Sequence, residues 1–406
     1  MASNSLGRYS DIGITTVQAF LDYVATINGT TISLDNTYSY LDNDADWVNG
    51  SFVVANSTTA ANNDIRLISS TAYASNQVVL ATSIDGLEVD DQIAIIPAPL
   101  IYLCLESESI KETINWEDTE CLQTWESTHH TPLTVDCGGD LGVFIGEESD
   151  ALDILMSAAI GSRSVGAGLA GAGSIKYYTP GATIEYITVV MQRGNSVSLQ
   201  AYCGMMVDNL TLDQPAGALG TARTTFIGGF GIQEIGGAGQ AFDTTDFWSP
   251  PATPPDPKRM HFRHLVVSSA TVPKRYAESA SVTFSRNPAI DRRLGDYYAF
   301  EPSSSKFETT GTLVQWFEDD NELTEWRGDT AAISSPATRT LEYLWTGTAT
   351  VGTYLNVTAY STAWQDSSEP IVTGRIKETL TWKAIYDTGE AKQCYVTFEN
   401  NSTAVA

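Results

Sequence analysis

The sequence has few basic residues. Lys and Arg number 22 against 49 Asp and Glu in 406 residues, which gives a formal net charge of −27. Charged residues make up only 17% of the chain, below the roughly 25% typical of soluble domains, so the imbalance reflects missing bases. Proteins that read DNA sequence, or that adhere to anionic membranes, need a basic surface. The composition therefore argues against both partners.

Long apolar runs are also missing, and cysteine is sparse. No segment approaches the roughly 20 apolar residues of a membrane-spanning helix, so we expect no membrane insertion. The first residues lack the charged-then-apolar pattern of a secretion signal. Five cysteines without such a signal favour reduced thiols in a cytosol. Hydrophobic residues still make up 42% of the chain, enough for folded cores.

Helical periodicity is rare, and short alternating runs typical of β-strands dominate. Val17, Phe20, Leu21 and Val24 follow a helical spacing, and an Asn-Gly pair follows at 28–29. This pattern predicts an N-terminal arm with a helix over 1–30. Residues 31–100 carry several short strand patterns and are predicted to form a small β module.

A proline-rich segment divides the remainder of the chain. Five of the fifteen prolines lie in residues 250–257, and proline fixes the backbone and removes hydrogen-bond donors. We predict a stiff linker over 246–258, with Pro250, Pro251, Pro254 and Pro255 as candidate assembly residues. The linker separates stretches 101–245 and 259–406.

These two stretches resemble each other. Segments 141–155 and 312–326 both read as a strand, an acidic turn and a short helix, with matches such as Val143 and Val314 at an offset of 171. Downstream the offset becomes 157 and then 156, and the first copy carries an extra glycine-rich segment. An offset that changes once, at an insertion, indicates a duplicated domain. The predicted equivalent core residues are Leu152 and Leu323, Leu155 and Trp326, and Tyr186 and Tyr343.

The extra segment, 161–173, contains five glycines that we predict to form a flexible assembly loop: Gly161, Gly166, Gly168, Gly171 and Gly173. Part of it satisfies the GxGxxG pattern. A dinucleotide site needs a strand before that pattern and a helix after it, whereas here a helix is predicted before it. The sequence therefore favours a mobile loop that orders on assembly, and no cofactor.

Catalytic and metal-binding patterns are weak. Cys121, His129, His130 and Cys137 lack the close cysteine pair of structural zinc sites. No Gly-x-Ser-x-Gly elbow occurs. Carboxylate pairs such as Asp90-Asp91 suit turns better than glycoside hydrolysis. We predict no metal and no enzyme activity.

The duplicated unit resembles the major tail tube protein of long-tailed, siphovirus-type bacteriophages, in its two-domain form. The segments that carry the resemblance are 281–288, 307–320, the strand 375–386 and the terminal strand 394–400. It covers about 101–245 and 259–406. The resemblance implies a mainly β chain with two tandem tail-tube-type β-sandwich or barrel domains, each with one short helix, in addition to the N-terminal arm and β module.

The resemblance also implies a mechanism. Two-domain members are expected to form trimeric rings with pseudo-sixfold symmetry, which stack into a hollow tube. The tube holds a tape-measure protein, meets tail tip and tail terminator proteins, and passes double-stranded DNA without binding it specifically. The chain is then a virion tail protein that waits in the host cytoplasm before assembly. Acidic residues facing the channel would repel DNA phosphates.

One alternative stays open at the sequence level. A carbohydrate-binding or adhesive β protein at a virion surface would use exposed tryptophans as stacking platforms. The candidates for such platforms are Trp116, Trp125, Trp326 and Trp345.

Overall fold

A computed structural model of the chain describes 27 strands and one helix. The described residues are 10–15, 20–35, 51–56, 65–72, 76–81, 83, 87–90, 92–96, 101–102, 105–120, 127–146, 150–167, 174–182, 185–193, 198–235, 264–269, 272–273, 277–291, 300–303, 306–316, 338–346, 353–368 and 377–400. Every strand pairing among them is antiparallel. The mainly β prediction is therefore confirmed.

Six strands near the N-terminus close into a small barrel. They pair in the order β2-β3-β6-β5-β4-β7, and Val24, Ile32, Val78 and Ile93 fill the interior. The strands are β2 (Phe20–Asn28), β3 (Thr31–Leu34), β4 (Ser51–Asn56), β5 (Ile65–Ala72), β6 (Gln77–Leu80) and β7 (Gln92–Ile96).

The helix predicted over the N-terminal arm is wrong. The segment that begins at Phe20 is strand β2, which pairs with β3 on one side and β7 on the other. Its β-branched residues suit a strand, and these two pairings close the barrel. Tertiary pairing therefore overrides the helical spacing of the apolar residues.

The small barrel is inserted in the chain between two strands that pair with each other. β1 (Ser10–Thr15) precedes it, β8 (Ile101–Tyr102) follows it, and the two strands pair with each other. β1 also pairs along its whole length with β14 (Ile187–Arg193). Residues 10–15 of the N-terminal arm thus belong to a sheet of the chain's middle region, whereas its residues from Phe20 onwards belong to the barrel.

Among its described residues, the first half of the remaining chain contains eight strands besides β8 and β14, and one helix. The elements are β9 (Leu105–Glu108), β10 (Lys111–Glu120), β11 (Ser127–Phe144), α1 (Asp150–Ile160), β12 (Gly161–Ala167), β13 (Ser174–Pro180), β15 (Ser198–Pro215), β16 (Thr221–Ile227) and β17 (Phe230–Ile235).

The described residues of the second half include ten strands and no helix. The strands are β18 (His264–Ser269), β19 (Val272–Pro273), β20 (Ala277–Ser285), β21 (Ala289–Asp291), β22 (Phe300–Ser303), β23 (Glu308–Trp316), β24 (Arg339–Thr346), β25 (Tyr354–Ser368), β26 (Lys377–Ala384) and β27 (Cys394–Asn400).

One continuous ladder of strands runs through both halves. β9 and β10 both pair with β11, and the pairings continue through β16, β15, β20, β23 and β26 to the end of β25. We call this series the ladder. Its strands alternate between buried apolar and half-buried polar residues, so one face packs on the core.

A second set of strands and the helix cover the buried face of the ladder. The earlier parts of β15 and β25 pair with β14 and β24, and β27 joins β25 to β13. Buried residues from both sets form one core cluster. Helix α1 is buried on all sides, as expected for its almost wholly apolar sequence.

The strand registers of the two halves recur. β9 and β11 pair with the same register and the same β-bulge as β20 and β23, 172 positions later. β15 and β16 recur as β25 and β26 at offsets of 157 and 156, again with a bulge at the corresponding place. The pairing of β11 with β16 likewise recurs between β23 and β26.

These registers correct two of the sequence matches. Val143 is buried, whereas Val314 is half-buried on the opposite face, so the offset of 171 is wrong by one residue in this strand. A shift of one residue exchanges the two faces of a strand. Tyr343 is buried, but its register equivalent is Met191; Tyr186 is half-buried and precedes β14.

One pair of glycines marks the recurrence. Gly139 and Gly311 lie 172 positions apart, and a Cβ atom at either would strike a backbone carbonyl of the neighbouring strand, that of Ser109 or Ser281. At Gly311 the Cβ would also strike the indole ring of Trp382. Only glycine permits this close approach.

We expect Gly311→Ala to lower the free energy of unfolding by about 1–3 kcal/mol, because the methyl group overpacks the ladder. Chemical denaturation followed by tryptophan fluorescence measures this change. Gly389→Ala is the control, since there the nearest contact is a side-chain oxygen of Asp387 in an exposed turn. Equal losses in both variants would contradict the packing argument.

Candidate assembly interface

The two halves join edge to edge where β15 pairs with β20. Leu210 and Leu212 lie opposite Phe284 and Val282, and all four are buried. Backbone bonds from Arg286 N to Asp208 O (2.9 Å) and from Ala216 N to Glu278 O (2.6 Å) extend the pairing at both ends. This junction shows how one half docks on the other: by continuing its sheet.

A buried arginine reinforces the junction. Arg286 directly follows β20, and its Nε donates a hydrogen bond of 2.8 Å to the carbonyl of Ala159 in the last turn of α1. Burial lowers the pKa of this guanidinium, while Glu185 acts in the opposite direction. A cation at a helix C-terminus is favourable, so Arg286 binds the helix of the first half to the second half.

The ladder ends in two strands that have a pairing partner on one side. At one end, residues 105–113 of β9 and β10 pair with β11; at the other, residues 366–368 of β25 pair with β26. Among the described residues, no strand pairs with the opposite edge of either segment. The first end has exposed residues at alternate positions, namely Ser107, Ser109, Lys111 and Thr113. Open sheet edges are templates for pairing with another chain.

An exposed apolar surface continues from the first of these ends. Ile114, Trp116 and Leu133 lie on the β10–β11 hairpin with 44%, 56% and 48% of their surface accessible. Trp116 pairs with Pro132 across the hairpin. Apolar residues clustered on one exposed hairpin are typical of a protein contact surface.

The polar face of the ladder is rich in hydroxyl groups. Thr211 and Thr283 contact across the junction with their Oγ1 atoms 2.9 Å apart, and Ser281 contacts Thr312 at 2.7 Å. This face also carries charges of both signs, and Lys383 pairs with Glu308 at 2.8 Å. Lys306 and Lys383 both pair with Glu308, and they keep the pKa of the Glu308 carboxyl below its ordinary value.

One comparison with known proteins identifies the family. A family described as "Phage tail tube protein" matches residues 126–384, more than half of the chain. The chain belongs to the phage tail tube protein family. No curated protein matches it. It is therefore a structural component of a phage tail that self-assembles into the tube.

Two of the five glycines that were predicted to form a flexible loop lie in regular structure in the tail tube chain. Gly161 follows helix α1 with a φ of 113°, a conformation that favours glycine, and it is buried. Gly166 lies in strand β12, opposite Ile175 of β13. The loop prediction is wrong for residues 161–167, because this part pairs as a hairpin with β13. Gly168, Gly171 and Gly173 lie outside the described residues.

The other predicted positions of the tail tube chain also form two groups: those that the structure describes and those outside the described residues. Leu152 and Leu155 are fully buried in α1. Leu323 and Trp326, with the predicted second helix, lie outside the described residues, as do Pro250, Pro251, Pro254, Pro255 and the whole linker.

Ionic residues inside the first half form a structural cluster. Asp153 of α1 pairs with Arg163 of β12 at 2.6 Å and with the fully buried Lys176 of β13 at 3.2 Å. The Tyr178 hydroxyl donates to Asp153 Oδ1 at 2.5 Å, and burial raises the pKa of that hydroxyl. Sequence reasoning missed this cluster, although the acidic residue in an otherwise apolar helix was a visible signal.

The other candidate features of the tail tube chain are metal ligands, thiols and tryptophans. The described residues contain no group of three or more potential metal ligands, and no helix among them is long and apolar enough to span a membrane. Burial raises the pKa of the Cys137 and Cys394 thiols to about 12, so both stay protonated. Trp345 is fully buried and cannot stack on a sugar, while Trp116 is exposed. Trp125 and Trp326 lie outside the described residues.

Proposed function

We propose that the chain polymerises as stacked trimeric rings into a siphovirus-type tail tube that conducts DNA during ejection. The observation that carries this proposal is the ladder. Its two halves have recurring registers and join edge to edge, and each of its ends presents an edge with which no described strand pairs. A contact between unlike edges repeats from chain to chain and closes into a ring when the rotation permits.

The ring contains three chains if each half takes the place of one subunit of a sixfold ring. We infer that 101–245 and 259–406 are tandem domains of common origin, connected by the linker at 246–258. The recurrence of whole registers and bulges supports this inference, because unrelated β domains have no reason to share them. The small barrel is an addition to the first domain.

The polar face of the ladder lines the channel in this arrangement. The helix, the second set of strands and the core all lie against the other face, so closure leaves room for them only outside. Three chains of −27 would carry a net charge of −81, yet the described polar face is hydroxyl-rich with paired charges. DNA then passes because the wall offers no excess of cations, and most acids act on other surfaces.

The partners follow from the assembly. We propose contacts with the next ring, with a tape-measure protein inside the tube, and with tail tip and tail terminator proteins at its ends. The exposed hairpin of Ile114, Trp116 and Leu133 is the surface we assign to the next ring. Before assembly the subunit waits in the host cytoplasm.

Electron microscopy of the purified protein at high concentration tests the proposal. We expect hollow, ring-striated tubes whose rotational symmetry is threefold with a pseudo-sixfold appearance. Sixfold rings of whole chains would contradict the two-domain argument. Compact oligomers that stay unpolymerised after addition of tail tip proteins would contradict the tube itself.

A substitution on the polar face tests its position in the channel. Thr381 is half-buried on this face and pairs with Thr312. We expect Thr381→Lys tubes to retain short duplex DNA in about 50 mM salt and to release it near 200 mM, because phosphate contacts weaken steeply with salt. Co-sedimentation measures retention, and Thr381→Glu is the matched control. Equal retention by both variants would place Thr381 outside the channel.

A further inference from the structure

The strand at the first open end has the pairing geometry of β20. Thr113, Glu112 and Lys111 pair with residues 136, 137 and 138 of β11. Ser285, Phe284 and Thr283 pair in the same way with residues 308, 309 and 310 of β23. Every position differs by 172. Residues 105–113 therefore occupy in the first half the place that β20 occupies in the second.

The end of β25 has, in turn, the pairing geometry of the end of β15. Asp366 and Ser368 pair with residues 381 and 379 of β26. Asn209 and Thr211 pair with residues 225 and 223 of β16. In both strands a bulge separates this segment from the preceding residues. The last residues of β25 are thus equivalent to those residues of β15 that bind β20.

The junction inside the chain then specifies a second junction between chains. β15 and β20 pair with Asn209 opposite Ser285 and Thr211 opposite Thr283. Transfer of this register to the equivalent strands gives Asp366 opposite Thr113 and Ser368 opposite Lys111. We infer that β25 of one chain pairs antiparallel with the β9–β10 edge of the next chain in this single register. The inference rests on the proposed ring and names its contact.

Hydrogen bonding is compatible with this pairing. The bond from Arg286 N to Asp208 O shows that alternate residues of β20, including Phe284, direct their N–H groups towards β15. The equivalent N–H groups between chains belong to Glu112 and Ser367. Both edges therefore present donors and acceptors in complementary order, and pairing removes both open edges.

Charge agrees with the register as well. Lys111 is exposed, and the register places it diagonally across from Asp366 of the neighbouring chain. Opposite charges at such cross-strand positions are favourable. A register shifted by one residue would turn the polar face of one chain towards the core of the other.

Disulfide trapping tests the register. Lys111 and Ser368 correspond to Thr283 and Thr211, which form a non-hydrogen-bonded pair, the closer type of antiparallel pair and one suited to a disulfide. The test variant is Lys111→Cys with Ser368→Cys in a background with Cys104→Ser and Cys121→Ser. The matched control is Thr211→Cys with Thr283→Cys, at the same register position inside one chain. The buried native thiols react slowly because their pKa values are raised.

Tubes are assembled under reducing conditions and then oxidised. We expect the majority of test chains to migrate as covalent multimers that end at the number of chains per ring, while the control forms its disulfide within single chains. Tubes of the test variant that stay uncrosslinked, while the control pair oxidises, would overturn the register. Failure of the unmodified protein to form tubes, even with tail tip proteins, would instead overturn the proposed function.

If the cysteine variant does not assemble, hydrogen exchange on the unmodified protein tests whether the two edges pair between chains. Amides in peptides covering 111–113 and 366–368 are expected to exchange at least about tenfold more slowly in tubes than in free subunits, roughly 1.4 kcal/mol of protection. Peptides from the small barrel core are the internal reference. Unchanged exchange at both edges in intact tubes would overturn the inference.

Discussion

Replacing Ser367 by proline is expected to suppress tube formation at the concentrations at which the unmodified protein polymerises, and to leave the subunit folded. Proline removes one N–H group, and at residue 367 that group points away from β26 and towards the next chain in the inferred register. Edge strands tolerate proline where the missing N–H faces solvent. Every contact between neighbouring chains in the tube loses this hydrogen bond. We therefore expect the concentration needed for polymerisation to rise by about 100-fold or more, or roughly 3 kcal/mol per contact.

Turbidity and electron microscopy measure the assembly, and circular dichroism measures the fold of the free subunit. Ser367→Ala is the control, since it changes the side chain and keeps the N–H group. Leu210→Pro, at the equivalent position of the internal junction, is expected to prevent folding because that N–H is used within the chain. Normal tubes from the Ser367→Pro variant would exclude this edge from the contact.

The sequence was sufficient to predict the strand content and the short helix over 150–160. These depend on local alternation and on apolar side chains such as Leu152 and Leu155, which sequence displays directly. Strand β2 was missed because its partners in β7 lie 69 to 75 residues away, as in the pairs Tyr23 with Gln92 and Phe20 with Ile95, and this non-local pairing decides its conformation.

The residue-by-residue alignment of the two similar stretches was harder to predict than their similarity. Matching Val143 with Val314 looked natural because both are valines in a strand followed by acids. The correct equivalent of Val143 is Gln315, which is buried and hydrogen-bonded to Glu378 at 3.1 Å. A buried polar pair has replaced an apolar contact there, so hydrophobic similarity alone gives the wrong face.

The candidate interface depended on pairing that no residue pattern reveals. Thr113 and Asp366 are ordinary strand residues, and nothing in their chemistry indicates a contact. They gain significance only because residues 209 and 285, their register equivalents, pair inside the chain. The glycines of 161–173 and the prolines of 250–257 are instead typical of irregular backbone, which is a different feature from an open sheet edge.

Asp153→Ala is expected to lower the free energy of unfolding of the first half by about 3–5 kcal/mol. The carboxylate neutralises Lys176, which is fully buried, and it accepts hydrogen bonds from Arg163 and Tyr178. Its removal leaves a buried ammonium without that counter-charge, which is far more costly than the loss of a surface ion pair. Thermal unfolding, followed by the near-ultraviolet signal of the aromatic core, measures the change.

Two further variants separate the buried charge from simple loss of contact. Arg163→Gln removes the partner whose side chain is 24% exposed, and it should cost about 1 kcal/mol or less because Asp153 keeps Lys176. Asp153→Leu combined with Lys176→Met removes both buried charges, and we expect it to recover most of the stability lost in Asp153→Ala. If the double variant is as unstable as the single one, packing of α1 against the β12–β13 hairpin, rather than charge burial, accounts for the loss.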